Sequence, residues 1–380
     1  VDFAFTEAQR LVQNTARELA RRVLVPIAAQ LDRDAVFPAP ALLELARAGL
    51  MGVNVAERYG GSEAGVVAYS LALQEVAAAC ASTAVTMAVT NMVAEVIAAW
   101  GTEEQRQRYL PGLCSGALVA GSFALSETGA GSDPGAMTTR ADRTGDGWLL
   151  NGAKQWITSG DRAGVLVVWA RTGEAAGTRG ISCFLLEPGT PGFSVTRHED
   201  KLGLRASSTV SLAFDGCQLP DSALLGGEGQ GFKVAMMALD GGRIGIASQA
   251  LGIARAAQGE SVAYAKQRVQ FGQAIAEFQA IQWMIADSET ELAGAELLAL
   301  RAAWLKENKQ PFSREAAIAK LNASEAAFRI CDRNLQIHGG AGYVRDFPAE
   351  RHVRDVRVTR IYEGTSEIQR LVIARAALAR

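Results

Sequence analysis

Hydrophobic periodicity changes twice along this chain, and those two changes constrain its architecture more than any single residue does. Up to about Leu118 the apolar residues keep helical spacing, as in Leu11, Ala16, Leu19, Val23 and Ile27, with Pro26 near an end. Pro38 and Pro40 open the next segment, and Gly101-Thr102-Glu103-Glu104 is a cap signature before Gln105 to Leu110. From Leu118 to about Glu228 the segments are short, β-branched and divided by glycine: Trp148-Leu149-Leu150, Val165 to Ala170, Ile181 to Leu186 and Thr209 to Phe214. Asp146-Gly147 signals a hairpin, and Pro188-Gly189 and Pro191-Gly192 signal turns. After Gly226 to Gly231 helical periodicity returns through Phe232 to Lys266, Gln279 to Asn308 and Ser313 to Gln336, with a last helix after Glu367. The pattern predicts an α+β protein: an all-α domain over 1–118, an antiparallel β domain over 119–228 and a four-helix bundle over 229–380.

Composition narrows the function classes. At 380 residues and 49% hydrophobic, the chain can build several cores. A net charge of −2 provides no basic field for nucleic acid. The basic cluster from Arg351 to Arg360 alternates with Glu350 and Asp355, which reads as a solvated or inter-subunit face. Cys80, Cys114, Cys183, Cys217 and Cys331 show no CxxC spacing and leave an odd number, so reduced thiols and a cytoplasmic setting are expected. His198, His338 and His352 form no HxxxH pair, and no metal site is expected. Val1 to Arg10 already carries Asp2, Glu7 and Arg10, unlike a signal peptide. The alanine-rich stretch from Gly65 to Trp100 is interrupted by Glu75, Asn91 and Glu95, and reads as buried helix without membrane insertion.

Ile361-Tyr362-Glu363-Gly364-Thr365-Ser366 concentrates the candidate chemistry. Desolvation by Ile361 and Tyr362 should raise the pKa of Glu363 towards the range of a general base. Gly364 admits another molecule to the backbone, and Thr365 can cap the following helix. Taken alone, an acid beside a glycine at a helix start is more often simply a cap. Gly129-Ala130-Gly131-Ser132 does not complete a dinucleotide fingerprint, because Pro134 stands where the third glycine belongs and no βαβ unit surrounds it. Gly241-Gly242 lies within a helical pattern at a cost of about 1 kcal/mol per glycine relative to alanine. Close approach of a ligand or a kink would account for the pair.

Five segments, in order and at these separations, resemble the acyl-CoA dehydrogenase family of flavoenzymes. They are Phe123 to Asp133, Trp156-Ile157-Thr158-Ser159, Arg268 to Gly272, Gln336 to Gly340, and Ile361 to Gln369. The likeness covers essentially the whole chain. Through Leu239-Asp240-Gly241-Gly242-Arg243 and the residues up to Gly252 it runs to the short-chain, butyryl-CoA branch. One departure is Thr128, where the family commonly has proline.

The resemblance implies a function and a set of roles. The expected reaction is FAD-dependent α,β-dehydrogenation of a short acyl-CoA to the trans-2-enoyl-CoA, with Glu363 as the α-proton base. Phe123, Leu125, Ser126, Gly131 and Ser132 would run along the flavin, with Ser132 also touching the substrate. Thr158 would bond flavin N5, and Trp156 would shield the ring where an electron acceptor docks. Arg268, Phe271, Gln279, Gln336, Gly339 and Gly340 would reach a neighbouring subunit's FAD, and Thr365 and Glu367 complete the cofactor set. Asp240, Arg243 and Gly364 would hold the substrate. In other branches the position of Gly242 carries the glutamate; here glycine stands there and the base is Glu363. The resemblance further implies a homotetramer, electron-transfer flavoprotein as acceptor, and a place in fatty acid β-oxidation. Rival readings are a dehydrogenase of carrier-protein thioesters, an oxygen-using acyl-CoA oxidase, and a flavin-free helical scaffold.

Overall fold

The computed structural model describes residues 4–173 and 177–379. Six helices come first: α1 (Glu7–Leu19), α2 (Ala28–Asp34), α3 (Ala39–Arg47), α4 (Val66–Ala79), α5 (Ala81–Trp100) and α6 (Glu103–Ser115). Helices α1 and α6 start with reciprocal capping boxes, Thr6 with Gln9 and Thr102 with Gln105, which satisfy two orphan backbone donors at each start. The first region is not helical throughout. Between α3 and α4 the chain turns at Gly49, Gly60 and Gly65, all with positive φ, and holds only a short 3₁₀ turn at Glu57–Tyr59. Helix α5 is long and apolar enough to cross a membrane, but its apolar window is 89% buried inside the protein, as α4 and α5 form the centre of the helical region.

Seven strands follow: β1 (Gly121–Ala124), β2 (Arg140–Thr144), β3 (Gly147–Thr158), β4 (Val165–Arg171), β5 (Ile181–Leu186), β6 (Phe193–His198) and β7 (Thr209–Pro220). They form one sheet in the order β1-β4-β2-β3-β7-β6, with β5 also paired to β4. The expectation of a purely antiparallel domain is corrected here. Strand β1 runs parallel to β4, and β2 meets β4 in parallel at Arg140 and Arg171. The hairpin β2–β3 intervenes in sequence between β1 and β4, so the chain re-enters beside β1 in the same direction. The hairpin turn also falls one residue early, at Gly145-Asp146, since Gly147 already pairs with Thr144. A β-bulge between Lys154 and Ile157 leaves Trp156 at φ +64° and 58% exposed, so this tryptophan is not in the core.

The last region contains α7 (Gly231–Gln267), a two-stranded ribbon of β8 (Val269–Gln270) and β9 (Gln273–Ala274), α8 (Gln279–Glu307), α9 (Ser313–His338), α10 (Ala349–Val356) and α11 (Ser366–Leu378). Helix α7 is roughly 55 Å long and is the central element, packing on α9, α8, α4 and α5. Short α10 stands beside the expected helices. Its Arg354 binds Asp32 of α2 and Glu350, and its Asp355 accepts the Leu204 N–H at 2.6 Å. The supposed solvated face therefore ties α2, the β region and α10 together. One apolar cluster runs continuously through α4, α5, the sheet, α7 and α9.

Candidate active site

The chain enters α11 through two consecutive residues in the left-handed region, Glu363 at φ +53° and Gly364 at φ +85°. Glycine takes that conformation freely, whereas glutamate is held there against its preference. Buried donors hold it. Gln369 Nε2 donates to the Glu363 carbonyl at 3.1 Å and the Gly364 carbonyl at 2.8 Å, and Lys320 Nζ donates to the Gly364 carbonyl at 2.8 Å. Thr365 caps α11 by accepting from the Ile368 N–H. On the other side the Tyr362 hydroxyl donates to Gln249 Oε1 of α7, whose Nε2 in turn donates to the Ala81 carbonyl at 2.9 Å.

This frame aims the Glu363 carboxylate at α7. A Cβ built on Gly242 would stand 2.6 Å from Glu363 Oε2 and 3.1 Å from Met92 Sδ. Gly242 therefore makes room for the carboxylate, and neither glycine of the pair interrupts the helix. Glu363 as a residue is half-buried, but its Oε2 is shut off from solvent and has no hydrogen-bond partner. Burial raises its pKa to about 7, against the opposing pull of the Arg243 and Lys320 charges. Arg243 is buried on α7 and donates to Asp240 Oδ1 at 2.5 Å, while Asp240 also accepts from Ser313. Burial pushes Lys320 down to about 8, with Glu363 pulling the other way. The neighbouring phenols of Tyr69 and Tyr362 are raised chiefly by burial, then by nearby carboxylates, so both stay neutral.

A second group of expected residues assembles on the sheet. The β1 end and the loop after it are fastened to β3: Ser122 Oγ donates to the Thr158 carbonyl at 2.7 Å, Gln155 N–H to the Ser126 carbonyl at 2.9 Å, and Lys154 Nζ to the Leu125 carbonyl at 3.0 Å. Phe123, Leu125 and Ser126 thus lie beside Trp156 and Thr158. Leu125 belongs to the same apolar cluster as Met92, against which Phe123 and Tyr362 also pack. Gly131 and Ser132 are exposed, and nothing stands within 4 Å of a Cβ built on Gly131. A flat cofactor fits these residues, which offer two half-buried hydroxyls, an open glycine backbone and an exposed indole.

The third group lies elsewhere. Arg268, Phe271, Gln279, Gln336, Gly339 and Gly340 are exposed at the far end of the bundle, Phe271 by 94%. Tyr264 stacking on buried His338 at 4.2 Å brings the two segments together. Arg268 is separated from Gly242 by roughly 40 Å of α7. Glu367 is exposed on the first turn of α11.

Sequence reasoning missed three buried charges. Lys320 sits on a face of α9 otherwise made of Ala316, Ala319, Ala323 and Ala327, and a lysine on an alanine stripe was the available signal. Lys154 pairs with Glu127 at 2.9 Å, both buried, and Glu127 also accepts from the Thr138 and Thr139 backbone at 2.7 and 3.0 Å. These partners hold Glu127 at a pKa of about 2 despite its burial, and burial pushes Lys154 down to about 8. Among the described residues no group of acidic, histidine or cysteine side chains is arranged to hold a metal ion.

Three family models cover the chain: acyl-CoA dehydrogenase N-terminal domain over 6–117, middle domain over 122–217 and C-terminal domain over 229–378. The chain is 50% identical over 369 residues to the mitochondrial short-chain specific acyl-CoA dehydrogenase of Bos taurus, covering 97% of this chain and 89% of that protein. Butyryl-CoA dehydrogenase from Megasphaera elsdenii superposes with a TM-score of 0.97 at 41% identity, covering all of both chains. A chain solved in work on the electron transferring flavoprotein of Acidaminococcus fermentans gives 0.98 at 42%, again over the full length of both. The protein belongs to the acyl-CoA dehydrogenase family. It is an FAD-dependent oxidoreductase of fatty acid metabolism that dehydrogenates acyl-CoA.

Proposed function

We propose that this chain dehydrogenates short, straight acyl-CoA thioesters, with Glu363 removing the α-proton. The observation that carries this reading is the solvent-free, unpartnered Glu363 Oε2 facing the bare Cα of Gly242. With a pKa of about 7 the carboxylate is a stronger base than an ordinary glutamate and is still about half ionised at neutral pH. The acyl α-carbon would lie in the trough between Glu363, Met92 and α7, where apolar walls keep water away from the proton transfer. The Glu363 backbone N–H is the group on this chain suited to polarise the thioester carbonyl. Asp240, Arg243, Gly364 and the exposed Ser132 would hold the rest of the substrate.

FAD, when bound, supplies at N5 the acceptor for the hydride that leaves the β-carbon. Phe123, Leu125, Ser126, Gly131, Ser132, Trp156 and Thr158 would hold its ring and ribityl chain, with Thr365 and Glu367 near the C-terminal turn. Arg268, Phe271, Gln279, Gln336, Gly339 and Gly340, exposed at the opposite end of α7, would serve a second subunit's cofactor. Such a split needs at least a second subunit, and a homotetramer, typical of the family, would supply it. Electron-transfer flavoprotein is the proposed acceptor, docking beside exposed Trp156. The three-domain division at 118 and 228 belongs to the same reading. A cytoplasmic setting suits five unpaired, buried cysteines.

Anaerobic flavin bleaching with a panel of acyl-CoA esters, straight and branched from C4 upward, tests the assignment. Butyryl- and hexanoyl-CoA should bleach fastest. An optimum at C12 or above, or bleaching only by a carrier-protein thioester, would overturn it.

A further inference from the structure

Lys320 is a buried amine whose position the chemistry above does not explain. It lies on the alanine face of α9, fully enclosed, in a chain whose other lysines mostly reach solvent. Removing an ammonium from water is costly, so such a residue is expected to meet a carboxylate or several acceptors. Lys320 Nζ instead donates to a main-chain carbonyl, Gly364 O, one residue past Glu363. That carbonyl already receives Gln369 Nε2. A second donor is redundant for satisfying it, whereas a second positive charge beside the turn is not.

We propose that Lys320 is a positioning residue for the dehydrogenation: its ammonium pins the left-handed Glu363-Gly364 turn and holds a positive charge beside the buried carboxylate. The inference rests on reading Glu363 as the base. Burial alone would drive a carboxylate shut off from solvent far towards its neutral form, in which it cannot accept the α-proton. The charges of Arg243 and Lys320 oppose that drift. Arg243 is partly neutralised by Asp240, whereas Lys320 makes no ion pair within 4 Å among the described residues. The other ionisable groups facing the pair are Tyr69 on α4 and Glu95 on α5, with Tyr362, Glu325 on α9 and Glu367 on α11. None of these adds a positive charge, and the nearby cations Lys306 of α8 and Arg360 are held by Glu95 and Glu325. The device therefore balances burial, which strengthens the base, against the charges of Arg243 and Lys320, which keep it ionised.

Three variants of the FAD-loaded enzyme separate this role from a purely structural one. Lys320→Met removes donor and charge, Lys320→Gln keeps a donor without charge, and Lys320→Arg keeps the charge. For Met and Gln the acid limb of kcat/KM for butyryl-CoA should move up by about one pH unit or more. Activity at pH 6.5 should then be about thirtyfold below that at pH 9, against about fourfold in wild type, while Lys320→Arg keeps the wild-type limb. A second readout needs no turnover: the infrared band of the protonated Glu363 carboxyl, assigned by its loss in Glu363→Gln, should persist to higher pH in Met and Gln. If Lys320→Met does not fold, Lys320→Gln makes the same comparison. An unmoved limb and an unmoved infrared titration, whatever happens to kcat, would overturn the proposal. Glu363→Gln run in parallel keeps the two readings apart. If it still bleaches, the base is misassigned; if it is inactive while the Lys320 variants leave the limb in place, only the role of Lys320 fails.

Discussion

The two ends of α7 are built on opposite terms. Near its start, Gly242 faces a dry carboxylate, and the side chains that hold Glu363 in place come from the same chain: Lys320, Gln369 and Gln249. At its far end Arg268 and Phe271 are exposed, next to Gly339 and Gly340 with open space around them. A phenylalanine 94% exposed on a structured ribbon is costly to leave in water and suits a surface that another molecule covers. The contrast separates two tasks. Proton abstraction needs atomic placement and exclusion of water, which one chain can complete by burial. In the reading proposed above, a long dinucleotide would be held by groups at both ends of α7, with the far set supplied by a second subunit.

The largest expected effect falls at the buried end. Glu363→Gln keeps size and fit, so FAD and acyl-CoA should bind almost normally, whereas flavin reduction by butyryl-CoA should fall by at least ~10²–10⁴-fold. Stopped-flow absorbance under anaerobic conditions measures it. Near wild-type reduction would mean that the enclosed end of α7 is not where the chemistry occurs.

The exposed end should respond in binding instead. Arg268→Ala should leave each subunit folded, because its side chain is exposed. Loss of a charge-assisted bond to phosphate should weaken FAD retention about 10- to 100-fold. Fluorescence titration of the apoprotein with FAD checks this, with sedimentation reporting the assembly state. Unchanged affinity would remove the case for a site shared between subunits.

Exchanging the two faces of the buried end is a finer test. Gly242→Glu alone should abolish activity, because its first side-chain atom would meet Glu363 Oε2 at 2.6 Å and two carboxylates would compete for one space. Combined with Glu363→Gly, the new carboxylate enters the same trough from α7, and part of the lost rate should return. Recovery stays incomplete because reacting geometry is sensitive to displacements of about 1 Å. The acyl-length preference should shift as the side chain takes pocket volume. A double variant no faster than Glu363→Gly would show that α7 and the turn do not face one substrate atom.

Much of this contrast was legible before any coordinates. The helix–sheet–helix order follows from periodicity, and Glu363 stood out because Tyr362 and Gly364 flank it. What escaped were features that depend on partners distant in sequence. The parallel pairing of β1 with β4 is a choice of neighbour, on which alternation of side chains is silent. Lys154 looks like an ordinary surface lysine until the Glu127 carboxylate is brought to it, and the alanine stripe around Lys320 signals burial without naming its partner, the Gly364 carbonyl. Gly242 read equally well as a kink or a ligand approach, and its actual neighbour lies 121 residues away (363 − 242).

The smallest expected effect is thermodynamic, and it follows from the same burial. In the folded protein Glu363 has a pKa of about 7, above its ordinary 4.5. Below about pH 4.5 both the folded protein and the unfolded chain hold this proton, and the group carries no penalty. Between about pH 4.5 and 7 the unfolded chain gives up the proton while the folded protein keeps it, so stability declines across that window and the penalty is complete above about 7, where both states are ionised. Glu363→Gln cannot ionise and escapes the decline. Relative to wild type it should therefore gain stability between pH 5 and pH 8, on the order of 1–3 kcal/mol. The unpartnered Oε2 position receives either a carbonyl or an amide group, so an offset common to both pH values is expected, and the informative quantity is the change with pH. Thermal unfolding of the FAD-loaded wild-type and variant proteins measures that change, since cofactor and assembly contributions cancel in the difference. A variant-minus-wild-type Tm that is the same at both pH values would mean that the carboxylate is not penalised by its surroundings, and the strengthened base proposed at this end of α7 would lose its physical cause.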